Sequence, residues 1–193
     1  MSSPPAPRLA TYADLVALPE NLVGELIGGS LYTQARPAGP HALVATGLGM
    51  DLGGPFDRGR GGPGGWIFIN EPELHFGEDV LVPDLAAWRS ERLPRDARKE
   101  AFFTIAPDWV AEVASPSTTQ KDRVLKVPIY AAQGVQHLWL VEPVDGRIEA
   151  YVLESARWVW IGTWTDDAAA KIPPFDEVPL DLSRLWQSTG LRG

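Results

Sequence analysis

The stretch Asp108-Trp-Val-Ala-Glu112-Val-Ala114 limits the fold of this chain more than any other. Successive side chains of a strand point to opposite faces. Trp109, Ala111 and Val113 therefore share one face, and Val110, Glu112 and Ala114 share the other. A strand apolar on both faces belongs in the middle of a sheet, with cover on each side. Glu112 interrupts that pattern. Taking an ionised carboxylate out of water is costly unless it is paired or coordinated.

Val80-Leu-Val-Pro-Asp84-Leu-Ala-Ala-Trp88 repeats the problem. Read as one strand, it places Asp84 on a face with Val80, Val82 and Ala86. Two acids on neighbouring core strands suggest a shared compensating charge, and a hard divalent cation such as Mg²⁺ suits oxygen donors. The alternative is that each acid pairs separately with an arginine or caps a turn, with Pro83-Asp84 marking a strand end. The segment after Glu112 adds a cation. Asp122, Lys126 and Tyr130 are spaced to share one helix face, and Lys126 sits among Val124, Leu125, Val127 and Ile129. A lysine there can orient a water or stabilise charge on a phosphate. An intrahelical pair with Asp122 is the plainer alternative.

The remaining pattern predicts a mixed α/β domain in the order α-β-β-α-β-β-β-α-β-β-β. Thr11-Tyr-Ala-Asp14 resembles a capping box. Leu22 to Tyr32 reads as a hairpin turning at Gly28-Gly29. His41 to Leu52 reads as a helix weakened by Gly47 and Gly49. Gly53 to Gly65 reads as a flexible glycine-rich connection without the ending of a phosphate-binding loop. Strands are expected at Trp66–Asn70, Gln136–Val141, Ile148–Leu153 and Trp158–Trp164. A helix bent at Pro128 is expected from about Gln120 to Gln133, and a short one at Asp181–Trp186. Residues 1–10 read as a flexible tail and 11–193 as one domain, a size that supports a real core.

Composition removes several functions. The chain has no cysteine, so thiolate metal sites and disulfides are excluded. His41, His75 and His137 lack the paired spacing of a zinc site. No apolar run is long enough to cross a bilayer, and the Ser/Pro/Ala-rich start lacks the apolar segment of a signal peptide. A cytoplasmic protein without a membrane partner is the expectation. The net charge of −8 counts against a general nucleic-acid coat, although the acidity is concentrated between Glu142 and Asp181. Arg89, Arg92, Arg95, Arg98 and Lys99 form a basic stretch that either contacts phosphates or is a solvated loop. Eight tryptophans beside paired acids could suggest a sugar cleft, but most of them fall in strand runs and are better read as core.

Val-Pro-Asp84, Asp-Trp-Val-Ala-Glu112-Val-Ala-Ser-Pro-Ser117 and Lys-Asp122-Arg-Val-Leu-Lys126-Val-Pro-Ile-Tyr130-Ala-Ala-Gln-Gly134-Val-Gln-His-Leu-Trp139-Leu-Val-Glu-Pro143 together resemble the Uma-type family. These are bacterial proteins labelled restriction endonucleases, within the PD-(D/E)XK nuclease superfamily. The resemblance runs from Tyr12 to about Tyr151 and is most specific from Glu112 to Pro143. It implies a restriction-endonuclease-like central mixed sheet flanked by helices. It further implies Mg²⁺ (or Mn²⁺) held by Asp84, Glu112 and the backbone carbonyl of Val113, with DNA as the substrate. The superfamily usually places lysine two residues after the glutamate; Ala114 stands there, and Lys126 resembles its replacement. Glu25 resembles a further site acid, with an exposed strand acid as the alternative. His41 and Tyr130 are weaker candidates. A homodimer would be consistent with cutting both strands. A nucleic-acid-binding or regulatory protein with little catalysis is the competing reading, favoured by the displaced lysine and the acidic net charge.

Overall fold

The computed structural model describes residues 8–35, 39–115, 122–166, 168–187 and 190. The helices are α1 (Tyr12–Val16), α2 (Gly39–Leu52), α3 (Val127–Ala132) and α4 (Leu182–Gln187). The strands are β1 (Leu22–Ile27), β2 (Ser30–Ala35), β3 (Trp66–Asn70), β4 (Leu74–Phe76), β5 (Asp79–Leu81), β6 (Leu85–Arg89), β7 (Trp109–Val113), β8 (His137–Glu142), β9 (Arg147–Glu154) and β10 (Arg157–Trp164). They form a six-stranded sheet in the order β10-β9-β8-β7-β6-β3 and a four-stranded sheet in the order β2-β1-β5-β4. β7 and β8 pair in parallel, and the other ladders are antiparallel. Among the described residues, no helix is long and apolar enough to cross a membrane.

β7 is central, as its two apolar faces require. Trp109, Ala111 and Val113 pack with Leu85 and Ala87 of β6, Trp139 and Val141 of β8, and Val44, Leu48 and Leu52 of α2. The opposite face carries Ala86, Trp88, Val110, Leu138 and Leu140. It packs against Ile27, Leu74, Phe76 and Leu81 of the smaller sheet and Tyr130 of α3. One face of the main sheet is therefore covered by the smaller sheet together with α3, and the other by α2 and α4. Trp66, Trp88, Trp109, Trp139 and Trp186 are all core residues.

Several local readings hold. Gly28 and Gly29 both take positive φ, 56° and 75°, which suits a tight hairpin turn. Asp14 accepts the Thr11 N–H at 2.8 Å, as a capping-box acid does. One weak point of α2 has a packing reason: a Cβ on Gly47 would stand 2.8 Å from Leu185 Cδ1, whereas one on Gly49 would meet Asn70 and Leu85 at an ordinary 3.4 Å.

Two readings change. The run from Val80 to Trp88 is two strands in different sheets, because Pro83 cannot donate to a ladder. The helix expected from Gln120 instead shows a wide π-type turn over Asp122–Lys126 before α3, with residues 116–121 outside the described set. Pro128 explains the change. Its missing N–H and its clash with the carbonyl four residues back disfavour a continuous α-helix, whereas the start of a helix accepts it.

Candidate active site

Val82 to Asp84 carries the chain from one sheet to the other. Asp84 therefore lies in a bend immediately before β6, not on a strand face. Its position is nevertheless fixed. The Asp84 carbonyl accepts the Glu71 N–H at 3.0 Å, and Oδ2 accepts the Val113 N–H at 2.7 Å. Oδ1 stands 3.0 Å from Nε2 of His41, in the first turn of α2. Asp84 is thus bonded to the main chain of the residue that follows Glu112.

Glu112 faces the space between the sheets, on the side of Val110. Its Oε1 accepts the Tyr130 hydroxyl at 2.5 Å and lies 2.7 Å from Lys126 Nζ. The same ammonium lies 2.9 Å from Glu25 Oε1 on β1 and donates to the Val82 carbonyl at 3.0 Å. Glu25 Oε1 also accepts the Val82 N–H at 2.8 Å. Glu25, Lys126 and Glu112 are 1%, 2% and 3% exposed. A lysine is bearable at that depth only with acceptors around its N–H groups, and these contacts provide them. Two carboxylates flank one ammonium, and Asp84 is bonded to the residue of β7 that follows Glu112. Burial, and next the Glu112 carboxylate, hold the Tyr130 hydroxyl well above the usual tyrosine pKa, so it remains a donor.

The wide turn before Pro128 and the first turn of α3 aim Lys126 and Tyr130 at the same carboxylate. Asp122 was expected on that face, but its side chain lies outside the described residues. Lys126 pairs with the two glutamates, so its partners come from β1 and β7 and not only from its own helix.

Asp84 opens onto a cleft of about 310 Å³ walled by His41, Thr46, Asn70 and Glu71. Beside it, a groove of about 560 Å³ runs between α1 and β1 and shares Glu71. The donors fit a hard divalent ion that keeps several waters, because Mg²⁺ and Mn²⁺ are commonly held by one or two carboxylates. They do not form a closed protein cage: among the described residues, no three His, Asp or Glu side chains are grouped to hold a metal.

The structure thus gathers Glu25, Asp84, Glu112, Val113 and Lys126, together with His41 and Tyr130. Sequence reasoning missed the Val82 main chain, which serves both Glu25 and Lys126, and the cleft residues Asn70 and Glu71. Nothing in the sequence marks them, because the change of sheet gathers them. The basic stretch lies elsewhere. Arg89 closes the five-residue strand that follows Asp84, roughly 16 Å away at the rise of a strand. There Arg92 pairs with Asp108 at 2.5 Å, Arg98 donates to the Leu93 and Ser90 carbonyls, Lys99 pairs with Asp96 at 2.7 Å, and Arg89 lies over the Trp66 ring at 4.0 Å.

A crystal structure described as "a putative nuclease belonging to DUF820" from Anabaena variabilis ATCC 29413 matches with a TM-score of 0.74. The match covers 93% of this chain and 99% of that one at 24% identity, a likeness of fold. No curated protein matches the chain. The family model described as "Uma2: Putative restriction endonuclease" matches residues 10–183, so the chain belongs to that nuclease-like family.

Proposed function

We propose that this protein hydrolyses phosphodiester bonds of DNA, with Mg²⁺ or Mn²⁺ held by Asp84, Glu112 and the carbonyl of Val113. The observation that carries this reading is the bond from the Val113 amide to Asp84 Oδ2, which sets both acids against one short stretch of β7. A divalent ion there would supply charge for the scissile phosphate and lower the pKa of an attacking water. The chain's own groups provide the arrangement. Lys126 and Tyr130 hold Glu112 by Oε1, Glu25 anchors Lys126 from the other sheet, and the cleft admits a phosphate beside Asp84. Because Lys126 is sealed among its acceptors, it serves here as the fixed cation of the site.

A second reading is nucleic-acid binding without cutting, and the burial of Lys126 favours it. One assay separates the two. Single- and double-stranded DNA and RNA are incubated with the protein in Mg²⁺, Mn²⁺ or chelator. The first reading expects metal-dependent DNA cleavage that falls by on the order of 100-fold or more in Asp84→Asn and in Glu112→Gln, since an ion contributes several kcal/mol at 1.36 kcal/mol per tenfold. Full cleavage in both variants would sink the site assignment. Retention of nucleic acid without cleavage in any metal would favour the second reading.

A further inference from the structure

We propose that His41 is a positioning residue, holding the Asp84 carboxylate in the orientation that binds a divalent cation; this rests on the metal site just described. Asp84 belongs to no strand ladder, because Pro83 ends one sheet before β6 begins the next. Its side chain therefore takes its direction from outside its own strand. Val113 N–H holds Oδ2, and His41 Nε2 stands 3.0 Å from Oδ1. The last torsion of an aspartate is broad and roughly two-fold, so one bond alone fixes the carboxylate poorly. Two bonds, one at each oxygen, define it.

The histidine is built for this contact. It is 9% exposed, its Nε2 points at Asp84, and the two residues wall the same cleft. A carboxylate oxygen only accepts, so Nε2 must carry the hydrogen whatever the charge of the ring. Oδ1 has lone pairs for both that bond and a cation. Partners behind a ligand of this kind commonly contribute 10- to 100-fold in metal affinity. His41 lies in the first turn of α2, and its Nε2 is turned to Asp84.

The test is Mn²⁺ binding by titration calorimetry, with urea unfolding run alongside to confirm that each variant is folded. His41→Leu should weaken Mn²⁺ binding by roughly 10- to 100-fold. His41→Asn, polar but too short to reach Oδ1, should weaken it similarly. His41→Gln, which can present an N–H near the place of Nε2, should stay within a few-fold of wild type, and Asp84→Asn should lose binding. Wild-type affinity in both His41→Leu and His41→Asn overturns this inference and leaves the metal site standing. A loss in His41→Gln as large as in His41→Leu overturns positioning through that hydrogen. A wild-type protein that binds no Mn²⁺ overturns the reading of the site itself, and this inference with it.

Discussion

Lys126 lies between two buried glutamates. Removing its charge while keeping most of its volume leaves Glu25 and Glu112 buried without the ammonium between them. Breaking a buried pair in this way costs about 3–5 kcal/mol. Lys126→Met is therefore expected to lower unfolding free energy by that order, read from urea denaturation at pH 7. Tyr130→Phe removes only one hydrogen bond to a charged acceptor, worth about 1.5–3 kcal/mol. The expected ranking is Lys126→Met worse than Tyr130→Phe, and the reverse would mean that the ammonium does not balance the cluster. Glu112 was legible from its place in an apolar strand, and Glu25 and Lys126 from resemblance. That all three meet was not legible, because β1, β7 and the turn before α3 are far apart in the chain.

At the scale of elements, the glycine-rich segment after α2 contains more regular structure than its composition suggests. A π-type turn, Gly53–Asp57, continues α2, and the loop folds back on it through Arg60 N–H to Gly54 O at 2.9 Å and Gly64 N–H to Pro55 O at 2.9 Å. The closest approach is at Gly62, where a Cβ would stand 2.4 Å from Pro55 Cβ and 2.9 Å from Pro55 backbone atoms. Backbone cannot yield as a side-chain tip can. Gly62→Ala is expected to destabilise by about 1–3 kcal/mol, the range for overpacking. A thermal midpoint equal to wild type would show that the loop moves aside freely. The strand pattern of β3, β7, β8, β9 and β10 was readable from apolar periodicity. β4 escaped notice because three residues are too few to show a period, and the division of β5 from β6 was hidden inside one apolar run.

For the whole molecule, two half-buried groups make stability depend on pH in the same direction. Burial, then the nearby Arg89 charge, lowers the pKa of His137 below its ordinary 6.5. Burial alone would raise Glu149, but hydrogen bonds from Tyr151 and Arg123 outweigh it, and its pKa falls below 4.5. Both groups bind protons more readily in the unfolded chain, so stability rises with pH through each transition. The histidine contribution is present above pH ~6.5 and is lost as pH falls toward its folded value. The glutamate contribution is lost in turn below pH ~4.5. Urea midpoints measured across pH should decline in both windows. His137→Gln should flatten the upper one and Glu149→Gln the lower, and unchanged slopes would refute the assignment.

The sequence by itself determined a central strand at Trp109–Val113, because apolar residues on both faces allow no other place for it. It determined that Glu112 needs a partner, because a charge in such a strand cannot be left alone, and its family pattern pointed to the acids and the lysine. Only the tertiary structure decided who the partners are. Strand periodicity carries no information about which sheet the next strand joins. That choice, made at Pro83, takes Asp84 off the strand, sets it against Val113 and His41, and turns Val82 toward Glu25 and Lys126.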